Sequence, residues 1–223
     1  MPSMVTVEGL EFTRFVQASF RVRGGGLLIY LDPHRITERE TGGEKADLVF
    51  ITHPHGDHFD QNALGIVRGP NTVVVANAPC AQAIQNKANL VSVKEGDALT
   101  QKGVSIKAVP GYNGYHNRSQ GFNVGFVFTV AGKAVYHGGD TGRVPEMAQM
   151  GKVDIALVPI GGTYTMDEAE AAAAIKDDIK PRFAIPMHYG YATGGDPERF
   201  KALVGNAAEV HVLEPVLKVR MGG

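Results

Sequence analysis

Ten residues, Ile51-Thr52-His53-Pro54-His55-Gly56-Asp57-His58-Phe59-Asp60, constrain this chain more than any other stretch. Three histidines and two aspartates crowd together directly after the apolar run Asp47-Leu48-Val49-Phe50-Ile51. A run of that kind predicts a buried strand, and Gly56 predicts a sharp turn at its end. Side chains of an extended chain repeat every two residues, so His53 and His55 can point the same way and share one ion. Past the turn, Asp57 and His58 can face a second. Imidazole and carboxylate donors suit zinc, manganese or iron. A soft thiolate site is excluded, because Cys80 is the only cysteine.

Composition bounds what such a cluster can serve. With 223 residues and 43% hydrophobic content the chain can bury one sizeable core, so residues 1–223 are expected to form a single domain. Twenty-two basic against 23 acidic residues, a net charge of -1, supply no overall pull toward nucleic acid or an anionic membrane. A lone cysteine forms no internal disulfide, and Met1-Pro2-Ser3-Met4-Val5 has neither a basic nor a long apolar leader segment. No apolar run approaches the roughly 18 residues of a spanning helix. These features give a cytoplasmic protein as the expectation, with a small-molecule substrate, no membrane partner and no nucleic acid. They leave homo-oligomerisation open.

In chain order, Val5-Thr6-Val7, Phe12 through Val22 and Leu27 through Leu31 read as an antiparallel meander ended by Asp32-Pro33-His34. Residues 35–45 read as a polar loop. Asp60 is a plausible cap for a short helix from Gln61, Thr72 to Ala76 reads as another buried strand, and Ala78 to Lys87 as a small helix. Gly103 to Val109 alternates as a half-buried strand. Phe122 to Val130 and Ala134 to His137 form a hairpin through Gly132-Lys133. Val153 to Ile160 is a further strand, and Thr165 with Glu168 matches a capping box ahead of an alanine-rich helix that stops near Lys180-Pro181. Arg182 to His188 is a strand ending in histidine, Asp196-Pro197 starts a helix, and Val210 to Val219 returns as edge strand. His116 stands in the glycine- and aromatic-rich loop Pro110 to Asn117, where an ion needing a third protein ligand could find one.

His53-x-His55-x-Asp57-His58 resembles the HxHxDH signature of the metallo-β-lactamase superfamily. Gly139-Asp140-Thr141, after an apolar strand, is similar to that family's GDT motif, and Pro186-Met187-His188 to its final ligand strand. The resemblance runs from Asp32-Pro33 to His188 and implies an α+β fold, the four-layer αβ/βα sandwich. It assigns His53, His55 and His116 to one ion and Asp57, His58 and His188 to another, with Asp140 between them. Two divalent ions are thereby implied as cofactors, zinc first, with manganese or iron as alternatives. His137 is placed as an outer partner rather than a ligand.

More narrowly, Tyr112-Asn113, Ile160 to Met166 and Pro186 to Tyr189 look like the metal-dependent hydrolase branch that includes ascorbate-6-phosphate lactonases. Members of that branch often carry Gly-His before a Ser in the second strand, where this chain has Val16-Gln17-Ala18-Ser19. The resemblance implies hydrolysis of an ester, lactone or phosphodiester by a hydroxide shared between the ions. Asp57 and His188 take the catalytic roles, Asp57 orienting the nucleophile. His34, Asn113, Tyr164, Thr165 and Tyr189, in loops beside the ligands, are the candidates for substrate contact. Alternatives within the same fold are a mononuclear iron persulfide dioxygenase and a processing nuclease.

Overall fold

The computed structural model describes residues 1–217. Within them, consecutive strands build two seven-stranded sheets. The first holds, in chain order, β1 (Met4–Val7), β2 (Leu10–Val16), β3 (Ser19–Gly24), β4 (Leu27–Leu31), β5 (Leu48–Ile51), β6 (Val73–Asn77) and β7 (Leu90–Val93). β1 through β4 pair antiparallel and β4 through β7 pair parallel. The second sheet repeats the scheme with β8 (Ala98–Gln101), β9 (Val104–Pro110), β10 (Val124–Val130), β11 (Lys133–His137), β12 (Ile155–Pro159), β13 (Phe183–Met187) and β14 (Glu209–Val210). Here β8 to β11 are antiparallel and β11 to β14 parallel.

Parallel neighbours need crossovers, and helices supply most of them. α1 (Glu38–Thr41) follows β4, α2 (Gln61–Val67) follows β5, and α3 (Ala78–Ala83) follows β6. α4 (Glu168–Ala173), continued by a π-helical segment to Ile179, joins β12 to β13, and α5 (Pro197–Val204) joins β13 to β14.

Strand periodicity sorts the apolar residues into three packed layers. Leu48 and Phe50 of β5 enter a core shared by both sheets, where the Phe50 ring lies 5.0 Å from Phe126 and 5.0 Å from Phe128 of β10. Val49 and Ile51 face the other way, onto α2 and α3. β5 is thus covered on both faces, which is why its sequence is continuously apolar rather than alternating. Val127, Ala156 and Val158 pack the outer face of the second sheet against α4 and α5. The order of layers is helix, sheet, sheet, helix: the four-layer α+β sandwich.

Several local expectations change. Phe12 to Val22 is not one strand: it folds back at Gln17-Ala18 into β2 and β3, and Gln17 takes a left-handed backbone, φ 48°. The polar stretch 35–45 contains α1, fixed by a reciprocal cap between Thr37 and Glu40. The cap of α4 is Asp167 with Glu170, two residues beyond Thr165 and Glu168, because Asp167 accepts from the Glu170 amide and Glu170 reaches back to the Asp167 amide. Gly56 has no left-handed backbone; the chain reverses there through helical bonds from the His58 and Phe59 amides to the His55 carbonyl. The carboxy-terminal strand is only Glu209–Val210, and the expected continuation through Val219 ends outside the described residues. Among the described residues no helix is long and apolar enough to cross a membrane.

Candidate metal centre

The carboxyl ends of β5, β11 and β13 and the loop after β9 converge at one edge of the sandwich. β5 delivers the histidine cluster. β11 delivers Asp140 through Gly138 and Gly139, and Gly139 needs its left-handed φ of 59°. A Cβ there would lie 2.9 Å from Thr52 Cβ and 2.7 Å from Asn123 Oδ1, so glycine permits the close approach of this backbone to Thr52. β13 delivers His188, also left-handed at φ 57°. Such backbone in a non-glycine residue is costly and concentrates at functional sites.

Seven donor residues gather in two groups. His53, His55, His116 and Asp140 form one and Asp57, His58 and His188 the other, with the donor atoms of each within 4.8 Å of one another. In the first, His55 Nδ1 lies 3.1 Å from His53 Nε2 and 3.3 Å from His116 Nε2. In the second, Asp57 Oδ2 lies 3.8 Å from His58 Nε2 and 3.6 Å from His188 Nε2. Asp140 faces both: its Oδ2 is 3.7 Å from His53 Nε2 and from His116 Nε2, while its Oδ1 is 3.1 Å from His58 Nε2 and from His188 Nε2.

The far side of four of these imidazoles is tied to the protein. His53 Nδ1 lies 3.1 Å from Thr52 Oγ1, His58 Nδ1 2.7 Å from Asp32 Oδ2, His116 Nδ1 3.1 Å from Asn113 Oδ1, and His188 Nδ1 3.3 Å from Thr193 Oγ1. Thr52 and Thr193 donate their own hydroxyl protons to Asp32 Oδ2 and the His188 carbonyl, so each is left to accept from its histidine. With Nδ1–H donating outward, Nε2 of all four rings faces into the cluster, where it offers a lone pair to a cation once deprotonated. His58 Nε2 and Asp140 Oδ1 are buried and make no protein hydrogen bond. Inward-facing ring nitrogens, the buried Asp140 carboxylate and orphaned donor atoms fit divalent cations of the zinc, manganese or iron kind.

The electrostatics follow the same division. Burial drives His53 well below the ordinary histidine value and His116 down to about 4, so both rings are neutral at neutral pH. Burial also opposes charge on His58 and His188, but the neighbouring carboxylates, Asp140 foremost, outweigh it and raise both. Conversely, those imidazoles overcome the burial of Asp140 and Asp57 and hold both carboxyls low.

Asp32, read from sequence as the turn that ends β4 and, by the family resemblance, as lying near the metal site, is the hub of this outer set. Fully buried, it accepts from Thr52 N at 2.8 Å and Thr52 Oγ1 at 2.7 Å, and it faces both His58 Nδ1 and His137 Nε2, the latter at 3.1 Å. His137 is thus placed as an outer partner, as anticipated. Thr52 and Thr193 are further site residues without a sequence signal, since no motif marks a lone hydroxyl; Gln17, a third, stands in the segment where the hydrolase branch often carries Gly-His. The Asp-Pro pair ending an apolar strand was the one available sign for Asp32.

A cavity of about 390 Å³ opens onto the cluster, lined by His55, Asp57, Asp140, Tyr164, His188, Ala192 and Thr193. Of the residues anticipated as substrate contacts, only Tyr164 lines it. Asn113 is occupied within the protein: its Oδ1 accepts from the His116 amide and faces the His116 ring, and its Nδ2 donates to the Tyr164 carbonyl at 2.7 Å. Thr165 Oγ1 accepts from Gly161 N and donates to the Met166 carbonyl. Tyr189 donates to the Leu213 carbonyl at 2.9 Å beneath the Arg14 guanidinium. His34 is buried, 3.6 Å from Asp60 Oδ2 and edge-on to Tyr191. These four are placed by packing rather than by the cavity.

Residues 11–188 match the family described as the beta-lactamase superfamily domain. The chain belongs to the β-lactamase superfamily. Within it, a UPF0173 metal-dependent hydrolase of Thermococcus kodakarensis is 39% identical over 183 residues, covering 77% of this chain and 80% of the relative. The corresponding protein of Thermoplasma acidophilum is 36% identical, covering 78% and 80%. The solved structure of Igni18, described as a metallo hydrolase from Ignicoccus hospitalis, superposes with a TM-score of 0.80 at 31% identity, covering 92% of this superfamily member and 95% of Igni18.

Proposed function

We propose that this β-lactamase superfamily member is a binuclear metallohydrolase that cleaves an ester, lactone or phosphodiester bond of a small anionic substrate. The observation that carries the reading is Asp140, whose two oxygens face two separate donor groups at 3.1 and 3.7 Å. The names of the relatives, metal-dependent hydrolase and metallo hydrolase, support it. When bound, two divalent ions lower the pKa of a water toward neutrality and polarise the bond under attack.

The chain's own residues supply the remainder. Asp57 and Asp140 return about two negative charges against about four positive ones, so the cleft favours an anion. Asp57, with 26% of its side chain exposed, belongs to the second donor group and also lines the cavity. In this reading it orients an attacking water and takes up its proton. His188 Nε2 lies 3.6 Å from Asp57 Oδ2 and 3.1 Å from Asp140 Oδ1, and in this reading it would hold one cation together with both carboxylates. Tyr164 offers a hydroxyl and a ring face to the substrate on the cavity wall. Zinc is the first choice for an imidazole-rich set, and manganese or iron suit the same donors.

The test is elemental analysis of gently purified protein, followed by assay of phosphodiester, lactone and thioester substrates with the metal found. About two ions per chain are expected, and replacing His55, Asp140 or His188 should abolish metal loading and turnover together. Full turnover by metal-free, doubly substituted protein overturns the proposal. Oxygen uptake with glutathione persulfide instead of hydrolysis would favour the iron dioxygenase alternative, and RNA cleavage the nuclease.

A further inference from the structure

Gln17 sits at the tip of the β2–β3 hairpin, fully buried, and its backbone carbonyl accepts from the His188 amide at 3.1 Å. The hairpin therefore holds the ligand strand by its main chain, and it also brings a side chain to the site. The Gln17 amide nitrogen lies 3.3 Å from His188 Nε2 and 3.4 Å from Asp57 Oδ2, while its Oε1 is buried without a partner.

That orientation lets the Gln17 amide donate to Asp57 Oδ2, but it leaves Oε1 orphaned and sets an N–H against His188 Nε2. His188 Nε2 is a member of the second donor group, so its lone pair is committed when a cation is present. When it is protonated it is itself a donor. In neither state can it accept from the Gln17 N–H. Carbonyl oxygen and amide nitrogen are nearly isosteric, so a half-turn about the Cγ–Cδ bond exchanges them with little steric change. Oε1 then takes the position 3.3 Å from His188 Nε2 and 3.4 Å from Asp57 Oδ2. Donor atoms about 2.1 Å from a common ion lie about 3.0 Å apart at a right angle and about 3.4 Å apart at the tetrahedral angle.

We propose that Gln17 supplies, through Oε1, a further protein ligand to the cation held by Asp57, His58 and His188; this rests on reading those three as cation donors. The consequence is a difference between the two positions. The group of His53, His55 and His116 is rich in imidazole, whereas the second gains an amide oxygen and so suits the harder Mn2+ or Fe2+ better.

Two measurements test this. Crystals of the wild-type protein soaked in manganese chloride should show anomalous density among Asp57, His58 and His188, with the Gln17 side-chain oxygen about 2.0 to 2.3 Å away. Density at that place with the Gln17 amide more than about 3 Å distant overturns the ligand role alone. Density elsewhere overturns the reading of the site along with it. In solution, Mn2+ titration of the metal-free protein followed by electron paramagnetic resonance should show the second ion weakened at least about tenfold in Gln17→Leu, with the first unchanged. Gln17→Glu, which keeps an oxygen donor, should bind as tightly as wild type or more so. Equal affinity of folded Gln17→Leu and wild type for both ions overturns the proposal.

Discussion

Asp32 Oδ2 lies 2.7 Å from His58 Nδ1, with both side chains fully buried. The carboxylate fixes the ring so that Nε2 faces Asp140, and it also holds Thr52, which in turn orients His53. Asp32→Asn keeps the shape but replaces one accepting oxygen with a donor. Metal affinity is expected to fall about 10- to 100-fold, as for other outer partners of histidine ligands. Competition against a chromophoric chelator measures it; an unchanged affinity in folded protein would show that Asp32 only packs.

Removing His116's acceptor should act on the other donor group. Asn113→Ala leaves the His116 ring free to rotate and unties the Tyr164 loop. We expect metal binding at the His53, His55 and His116 position to weaken by about tenfold or more. The Asp57, His58 and His188 position should change less. Stoichiometric titration with two resolved affinities distinguishes the two.

Acidification should destabilise the metal-free protein in a defined window. The folded value of His116 is about 4, below the unfolded value near 6.5. Between those values the unfolded chain binds more protons, so stability rises with pH there and is lost as pH falls from about 6.5 toward 4. His53, lowered in the same direction, adds to it. His58 and His188 have the opposite sign: raised in the folded state, their contribution is complete below the unfolded value and lost as pH rises through the folded one. They must also shed protons to take up a cation. Metal loading at neutral pH should therefore release protons, detectable with a weakly buffered indicator. A flat urea midpoint from pH 6.5 to 4 would count against the His116 assignment.

Arg14 is buried with its guanidinium on the carbonyls of Leu213 and Tyr189, at 3.0 and 2.7 Å, and stacked 3.8 Å above the Tyr189 ring. Arg14→Met retains the stem but strands both carbonyls. A loss of about 3 kcal/mol is expected from the unfolding midpoint in urea. Tyr189 follows His188, so metal affinity should fall as well. A variant as stable as wild type would show that water satisfies those carbonyls.

What the sequence made legible was whatever is written in local pattern. β5 could be read from its apolar run, the donor residues other than His116 from their motifs, and the layer order from the family resemblance those motifs carry. Tertiary context decided the rest. No propensity distinguishes Gln17 as a hairpin tip from a residue inside one long strand, and the left-handed turn there is stabilised by partners far along the chain. The cap at Asp167 displaced the one at Thr165 because both positions carry a residue able to cap, and Thr165 is taken up by the Gly161 amide. Asn113 and Tyr189 stand close in the chain to the donor residues His116 and His188, and Thr165 lies in the loop after β12. Their side chains turn toward the protein, and a one-dimensional distance carries no direction.

The strand order has a consequence for how such a chain is assembled. Each sheet is drawn from one contiguous half, with the changeover between Val93 and Ala98, yet each donor group takes members from both halves. A backbone nick at residues 94–97 would leave every strand pair intact while giving neither fragment a full coordination set. Co-expressed fragments should then recover metal only by docking face to face, making ion uptake a reporter of their reunion.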